Sequence, residues 1–507
     1  MGQSPRSPPT QMEIDVMKAL KQRRSLYIAG EWIAANQVGP VINPANETVL
    51  GEAPLAAEDQ VESALAAARE AFDRGTWPRL SQSQRQAKVT QFLDAIERRA
   101  SEIIPLIIEE SGSLRVLANT MQFSLPLQLG RHLVEISTRP AVTPLPIDVV
   151  PNTQGTLSLA ASVLSREPVG VVVAITPYNV PFLTNVCKSV AAMLMGCTVI
   201  LKPSPYTPFE ALVLGEIADE VGLPKGVLNI VTGGPDVGTT LTSDKRVDMV
   251  TFTGSDKVGA AIQAQAAPTL KRIVLELGGK SALLVRHDAN IEKAAAAGLG
   301  GITTHSGQGC VLLTRHIVHN SIHRQYVEAL KTLIAGVKVG DPNDPTATMG
   351  PLISEAARAR TEHYVDLARA EGGKLIAGGK RPARLNRGFY YEPTVFDDVR
   401  NGSRIAQEEV FGPIGVVIGF DTDEEGIAIA NDSQYGLSGA VFSANVGRAY
   451  EMALQIRSGG VTVNTGFPQL TRNAPFGGIK RSGHGREYGE LGLNEFTYVK
   501  TVDFQAA

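Results

Sequence analysis

One cysteine, Cys310, stands where a thiol can act as a nucleophile. It closes the stretch Ser306-Gly307-Gln308-Gly309-Cys310, between an Ala/Gly-rich helical run, Ile291 to Thr304, and a strand-like run, Val311 to His319. Glycine lets a backbone come close to a bound molecule and adopt positive φ, so this loop favours a thiol that a substrate can reach. The alternative is a small core residue, because free cysteines are commonly buried.

A glutamate and an asparagine have the surroundings that acid–base and oxyanion chemistry require. Glu276 lies in Leu275-Glu276-Leu277-Gly278-Gly279-Lys280 after an apolar strand, where desolvation raises a carboxyl pKa and makes a general base near neutrality. Asn179 ends Thr176-Pro177-Tyr178-Asn179 after another buried strand. Its amide could donate to a developing oxyanion, and an ordinary turn asparagine is the alternative.

Three further stretches offer groups that suit a nucleotide. Lys202-Pro203-Ser204-Pro205 ends a strand with an ammonium and a hydroxyl that could hold ribose or phosphate. Phe252-Thr253-Gly254-Ser255 opens a helix whose N-terminus favours a pyrophosphate, although it is not the usual G-x-G-x-x-G. Glu408-Glu409-Val410-Phe411 supplies a carboxylate for ribose hydroxyls and a ring for a nicotinamide. A solvated lysine and a solvated acidic pair are the alternatives.

The elements that position these residues alternate between strand and helix. Gly170 to Ile175 is a β-branched run typical of a strand buried on both faces, and βα alternation continues to Glu276, which predicts a doubly wound parallel sheet. Ligands of such sheets bind beyond the carboxyl ends of the strands. The second half repeats the alternation from Ser281. Residues 143–166 form an extended β excursion, and a tail from Leu491 to Phe504 predicts a terminal strand.

Composition narrows the function class. The chain has 507 residues, 43% of them hydrophobic, and a net charge of -3, so it has no basic field for nucleic acid or an anionic membrane. Three cysteines in this length do not make a disulfide framework. Residues 1–10 are polar and proline-rich without an apolar signal core. These observations predict a soluble, cytoplasmic protein.

Taken together, these stretches resemble the aldehyde dehydrogenase superfamily. The resemblance runs from Tyr27 to Val499 and includes Pro475-Phe476-Gly477-Gly478 besides the motifs above. It implies an α/β fold with a Rossmann-like doubly wound cofactor domain (1–145 and 169–280), a second α/β catalytic domain (281–483) and a small β oligomerisation element (146–168 and 484–507). It also implies a homodimer or homotetramer.

The resemblance assigns the chemistry to Cys310 as nucleophile, Glu276 as general base and Asn179 as oxyanion donor. An aldehyde would pass through a thiohemiacetal and a thioester to a carboxylic acid, with hydride transfer to NAD or NADP. No metal is implied. The implied cofactor contacts are Ile175, Thr176, Pro177, Tyr178, Lys202, Ser204, Gly234, Gly238, Phe252, Gly254, Ser255, Leu277, Gly278, Glu409 and Phe411.

Two features bear on specificity. Pro205 stands where many family members carry a glutamate that binds the adenosine ribose, so NAD is expected with some NADP use. The aldehyde tunnel is expected at Val180, Leu183, Thr184, Cys187, Thr304, Val311, Leu470 and Phe476. These eight positions carry no charge, which predicts medium-chain, terpenoid or aromatic aldehydes.

The alternatives are a small or polar aldehyde or semialdehyde, and a catalytically silent relative. A further alternative is transfer of the acyl group to coenzyme A, which does not need a base. The presence of Glu276 favours hydrolysis over that transfer.

Overall fold

The computed structural model describes residues 21–138, 142–151, 154–466 and 471–505. The predicted tunnel residue Leu470 lies outside them.

The strands run in chain order as follows: β1 Ser25–Ile28, β2 Glu31–Ala34, β3 Gln37–Ile42, β4 Val49–Leu55, β5 Val142–Pro144, β6 Asp148–Pro151, β7 Leu157–Pro168, β8 Val171–Ile175, β9 Thr198–Lys202, β10 Leu228–Ile230, β11 Met249–Thr253, β12 Arg272–Glu276, β13 Ser281–Val285, β14 Leu313–His319, β15 Lys374–Ala377, β16 Thr394–Asp397, β17 Ile414–Phe420, β18 Gly439–Phe442, β19 Thr462–Val463, β20 Gly483–His484 and β21 Thr497–Gln505.

The α-helices are α1 Glu58–Asp73, α2 Gln82–Arg98, α3 Ala100–Ser111, α4 Arg115–Leu117, α5 Leu125–Ile136, α6 Pro181–Leu194, α7 Phe209–Glu220, α8 Pro235–Ser243, α9 Asp256–Ala266, α10 Ile291–Thr303, α11 His323–Ala335, α12 Glu355–Ala370, α13 Arg404–Gln407, α14 Asp423–Asn431, α15 Val446–Gln455 and α16 Gly489–Asn494. A π-helical turn, Ala118–Ser124, leads into α5.

The first large sheet has the order β2-β1-β10-β9-β8-β11-β12-β20. Its five central strands are parallel, and the chain reverses its winding direction between β8 and β11. Alternate residues of β8 enter different cores: Val172 and Ala174 pack on one face, and Val171 and Val173 on the other. This explains the unbroken β-branched run, and it confirms the doubly wound parallel sheet.

The second large sheet has the order β15-β16-β17-β14-β13-β18-β19. Its inner strands are parallel, and β13 also feeds two cores, with Leu283 on one side and Leu284 on the other. The short strand β20 returns to the first sheet and pairs with β12. The predicted α/β architecture is therefore confirmed, and the structure shows in addition that the second sheet is covered on both faces.

A small antiparallel sheet joins the β excursion to the tail. Strand β7 pairs with β5, β6 and β21. Leu157, Leu159, Tyr498 and Phe504 are exposed on it. The prediction of a terminal strand holds from Thr497 but is wrong for Leu491 to Asn494, which belong to α16. The chain forms the short helix α16 and enters the sheet only after that helix has ended at Asn494.

Among the described residues, no helix is both long and apolar enough to cross a membrane.

Candidate active site

The loop of Cys310 is held in a strained shape by its packing. After α10, His305 and Ser306 have φ of 48° and 58°. Residues other than glycine rarely adopt this left-handed backbone conformation. Gly307 has φ 75°, and a Cβ there would lie 2.1 Å from the carbonyl oxygen of Gly412. The Cys310 loop therefore packs directly on the loop that carries Glu409 and Phe411, and position 307 admits only glycine.

Gln308 ties the Cys310 loop to Asn179. Its side chain is buried, and its Oε1 accepts a hydrogen bond from the backbone N–H of Ile353 at 2.9 Å. Its carbonyl oxygen accepts a hydrogen bond from Asn179 Nδ2 at 2.9 Å. An amide nitrogen carries two hydrogens, so Asn179 keeps a second donor. The structure thus brings Asn179 and the Cys310 loop together.

The Cys310 thiol is partly accessible but poorly solvated. Burial raises its pKa to about 12, with smaller contributions from negative charge on Glu409 and Glu276. The backbone N–H groups of Cys310 and Val311 act in the opposite direction. The thiol is therefore neutral in the free protein at neutral pH, and forming the nucleophilic thiolate requires a proton acceptor or a cationic neighbour.

Glu276 ends β12 with its carboxyl group unpaired. It is 2% exposed, and neither carboxylate oxygen has a hydrogen-bond partner in the described part of the chain. Desolvation raises its pKa well above the usual value, and the charge of Glu487 adds to the effect. This confirms the direction expected from the apolar strand. A buried polar group without a partner is costly and marks a functional site.

An ion pair that the sequence did not reveal lies beside Glu276. Lys188 is buried, pairs with Glu487 and donates a hydrogen bond to Thr251 Oγ1 at 2.8 Å. Lys188 lowers the pKa of Glu276, whereas Glu487 raises it. The one available signal was a lysine as the single charged residue of helix α6.

Lys202 lies at the carboxyl end of β9. It is 5% exposed, its Nζ has one long contact at 3.5 Å with the carbonyl oxygen of Pro203, and burial lowers its pKa to about 8. Gly238 lies against its side chain, since a Cβ there would be 3.7 Å from Lys202 Cε. Ser204 is buried, and its hydroxyl accepts a hydrogen bond from the backbone N–H of Tyr206. The buried ammonium thus lacks a full set of acceptors.

Glu409 reaches across from the second sheet to the first. Its Oε1 accepts a hydrogen bond from the backbone N–H of Gly279 at 2.9 Å, and a Cβ at Gly278 would lie 2.2 Å from its Oε2. Burial raises its pKa to about 7. The neighbouring Phe411 contacts the ring of Tyr178 edge-on, with centroids 6.0 Å apart. The predicted residues around Gly278, Glu409 and Tyr178 therefore meet at one place.

The helix that follows β11 begins at the same edge of the sheet. Ser255 is its N-cap, and the hydroxyl accepts a hydrogen bond from the N–H of Val258 at 3.4 Å. Gly254 lies against the ring of Phe252, and Gly259 lies against Leu277.

The remaining predicted cofactor positions lie on the same side. Gly234 precedes α8 as its N-cap. Ile175 ends β8, Pro177 follows it, and the Thr176 hydroxyl donates a hydrogen bond to Asn185 Oδ1 at 2.6 Å. An under-coordinated buried ammonium, a carboxylate and two helix N-termini along one sheet edge fit a dinucleotide.

An apolar cluster lies near Glu276, because its member Phe476 precedes Gly477, where a Cβ would lie 2.7 Å from Glu276 Oε1. Leu183 and Cys187 of α6 pack with Leu129 of α5 and with Tyr488, and Val180, Phe476 and Leu125 pack against them. Thr184 is buried, but its hydroxyl bonds the carbonyl oxygens of Val180 and Pro181. Thr304 and Val311 are half-buried beside the Cys310 loop. Among the described residues, the predicted tunnel residue Val311 does not belong to this apolar cluster. The sequence analysis did not identify Leu125, Leu129 and Tyr488 as members of this cluster. The only signal for them was the spacing of four residues between Leu125 and Leu129, which is typical of one helix face.

Comparison with known proteins gives a consistent result. The model of the aldehyde dehydrogenase family matches residues 32–502. A 3-succinoylsemialdehyde-pyridine dehydrogenase of a Pseudomonas species is 39% identical over 95% of this chain and 99% of its own length. Betaine aldehyde dehydrogenase of Bacillus subtilis is 38% identical over 94% and 97%. A crystal structure of betaine aldehyde dehydrogenase from Staphylococcus aureus with NAD+ superimposes with a TM-score of 0.92 at 35% identity, covering 97% of both chains.

Proposed function

The chain belongs to the aldehyde dehydrogenase family and is an NAD(P)-dependent enzyme, and we propose that it oxidises an uncharged aldehyde and hydrolyses a thioester on Cys310. The observation that carries this proposal is the conjunction of three groups. An accessible thiol lies beside an amide with a free donor, and an unpaired buried carboxyl group faces the same site.

The Cys310 thiol loses its proton to water, the resulting thiolate attacks the aldehyde carbon, and the carbonyl oxygen becomes an oxyanion. The second N–H of Asn179 Nδ2 and the backbone N–H of Cys310 stabilise that oxyanion. Gln308 fixes the position of Asn179 because its carbonyl oxygen holds the other amide hydrogen. A bound oxidised nicotinamide would supply the acceptor for the hydride of the aldehyde carbon.

Glu276 takes a proton from the water that attacks the thioester. Its raised pKa makes it a stronger base than a solvated carboxylate. Lys202 and Glu409 would hold the ribose hydroxyls of the cofactor, and Ser255 would contact the pyrophosphate. In this proposal Glu276 favours hydrolysis over transfer of the acyl group to coenzyme A.

The lining of the apolar cluster supports a substrate without charge. Leu129, Leu183 and Cys187 offer no partner for an ionic group, and the nearby Glu487 already pairs with Lys188. Each methylene of substrate buried there contributes about 0.8 kcal/mol. Medium-chain, terpenoid or aromatic aldehydes therefore remain the first expectation.

A small or polar aldehyde is the second candidate. The names of the relatives support it, since one is named for a semialdehyde on a pyridine and another for betaine aldehyde. Recognition of a quaternary ammonium uses a cage of aromatic rings. Phe476 and Tyr488, with centroids 5.9 Å apart, are the two aromatic residues of this cluster in the described part of the chain, which is a sparse cage.

The exposed apolar side chains of β7 and β21 support assembly into a homodimer or homotetramer. The division into a cofactor domain (1–145 and 169–280), a catalytic domain (281–483) and an oligomerisation element (146–168 and 484–507) stays a proposal, as does a cytoplasmic location. Light scattering on the purified protein measures its oligomeric state. A monomer at micromolar concentration would contradict the proposed homodimer or homotetramer.

A panel of aldehydes tests the substrate class. We expect higher kcat/KM for hexanal and benzaldehyde than for acetaldehyde, betaine aldehyde and succinic semialdehyde, measured by formation of reduced cofactor. The variant Cys187→Trp should lose activity on the larger aldehydes because the indole fills the cluster. A clear preference for acetaldehyde or a charged aldehyde would overturn the proposed class.

A further inference from the structure

Tyr488 is a buried phenol beside the reacting groups. It lies just before α16, is 7% exposed, and packs with Leu129, Leu183 and Cys187. Its ring centroid is 5.9 Å from that of Phe476, at an angle of 43°. The ring is therefore part of the wall of the apolar cluster.

The hydroxyl of Tyr488 has no hydrogen-bond partner among the described residues, and its phenol is more than nine-tenths buried. The oxygen is not among the fully buried side-chain atoms without a partner in the described residues, so it is reached from open space. Tyrosine hydroxyls in apolar surroundings usually find a partner. In a wall made of leucine, cysteine and phenylalanine, a bound molecule is the source of an acceptor.

The surroundings keep this phenol protonated. Desolvation raises the pKa of Tyr488 well above its usual value, and Cys187, Glu487, Glu276 and Cys310 add to the effect when they are deprotonated. The phenol is thus a hydrogen-bond donor throughout the working pH range. The ring neighbour of Tyr488, Phe476, precedes Gly477, where a Cβ would lie 2.7 Å from Glu276 Oε1. Tyr488 therefore lies on the side of the site that holds the base.

The backbone of Tyr488 is held in an unusual conformation. Its φ of 61° and ψ of 165° lie in a region populated almost only by glycine. The preceding Glu487 exchanges two backbone hydrogen bonds of 2.7 Å with Phe476, and the N–H of Gly492 donates to the Tyr488 carbonyl oxygen at 3.0 Å. These contacts fix the direction of the side chain, as at positions where strain accompanies function.

We propose that Tyr488 is a specificity-determining residue, whose hydroxyl donates a hydrogen bond to a neutral acceptor in the body of the aldehyde, such as a ketone oxygen or a ring nitrogen. A hydrocarbon aldehyde of the same size leaves the donor unpaired, and sites built around such a donor discriminate against analogues that lack the acceptor. This inference rests on the proposed function, because it assumes that the apolar cluster holds the aldehyde.

The test compares the wild type with Tyr488→Phe, which removes the hydroxyl and keeps the ring. The substrates are benzaldehyde with the three pyridine carbaldehydes, and hexanal with its keto derivatives at each chain position. We expect Tyr488→Phe to lower kcat/KM about tenfold for at least one acceptor-bearing aldehyde and to leave benzaldehyde and hexanal within about twofold. The ratio between the two proteins cancels differences in intrinsic reactivity.

Controls separate the possible failures. Tyr450→Phe removes an exposed phenol of α15, and it should leave kcat/KM unchanged for both substrate series. The melting temperature of each variant reports whether it is folded. Tyr488→Leu repeats the test without the ring and should give the same loss on the acceptor-bearing aldehyde. An equal change of all substrates in Tyr488→Phe would overturn the inference while the proposed function stands. Betaine aldehyde is added as a cationic substrate, and a loss of activity in Tyr488→Phe on this substrate alone would also overturn the inference, because the ring would then serve a cation. If the wild type oxidises neither series, the proposed function fails with it.

Discussion

The two large sheets present opposite ends of their strands to one site. In the first sheet, β8, β9 and β12 end at Ile175, Lys202 and Glu276, and the functional residues follow those ends. In the second sheet, β14 and β17 begin just after the Cys310 loop and the Glu409 loop. The first edge offers helix N-termini, which suit phosphates. The second offers two loops with left-handed residues that are packed on each other through Gly307 and Gly412.

The difference assigns separate tasks to the two edges. Loss of the Cys310 thiol from the second edge should stop all chemistry while the cofactor still binds. Loss of a single group from the first edge should affect one step: Asn179 the oxyanion, Lys202 cofactor binding and Glu276 hydrolysis. Glu409 belongs to the second edge by sequence, but it contacts Gly279 of the first edge and is expected to act on cofactor binding.

Cys310→Ala is expected to lower kcat for aldehyde oxidation by at least about 10⁴-fold, because no thioester can form. NAD binding, measured by calorimetry, should change little. Cys197→Ala is the matched control, since Cys197 is a buried thiol whose Sγ lies 3.4 Å from the carbonyl oxygen of Phe496. Wild-type turnover in Cys310→Ala would remove this residue from the mechanism.

Asn179→Ala is expected to lower kcat about 10²–10³-fold, since one oxyanion donor is lost. The KM for NAD should stay near the wild-type value. A loss confined to KM would place Asn179 among the binding residues and remove it from the stabilisation of the oxyanion. Steady-state kinetics with a single good aldehyde measure both parameters.

Much of the first edge was predictable and much of the second was not. β-branched runs and βα alternation predict buried parallel strands. Because ligand groups lie at the carboxyl ends of such strands, this pattern identified Lys202 and Glu276 as site residues. No local pattern predicts that Gly307 meets Gly412, or that Tyr488 joins Leu129, because these contacts join segments far apart in the chain. The ion pair of Lys188 with Glu487 was missed for the same reason.

Pro205→Glu is expected to lower kcat/KM with NADP about tenfold and to leave NAD nearly unchanged. Two like unit charges near 4 Å repel by about 1–4 kcal/mol close to a protein surface, and Pro205 is exposed at the end of the Lys202 stretch. We expect the wild type to prefer NAD with measurable NADP activity. Absence of NADP activity in the wild type at saturation would refute the argument from Pro205.

The KM for NAD is expected to be lowest between about pH 7 and 8. The pKa of Glu409 is raised to about 7, so it loses its charge below that pH, and the pKa of Lys202 is lowered to about 8, so it loses its charge above that pH. A few-fold rise in KM should appear on each side. Glu409→Gln should abolish the rise on the acid side and keep the one on the alkaline side, and a flat profile in the wild type would contradict both assignments.

The most direct test of the mechanism is to trap the thioester in Glu276→Gln. Without the base, hydrolysis of the thioester should slow about 10²–10⁴-fold while acylation persists. Mixing this variant with NAD and hexanal should give one equivalent of reduced cofactor in a burst. Mass spectrometry should then find the hexanoyl group on the peptide that contains Cys310, and no adduct in the variant that also carries Cys310→Ala. An acyl group on another residue, or wild-type turnover without an adduct, would contradict the account.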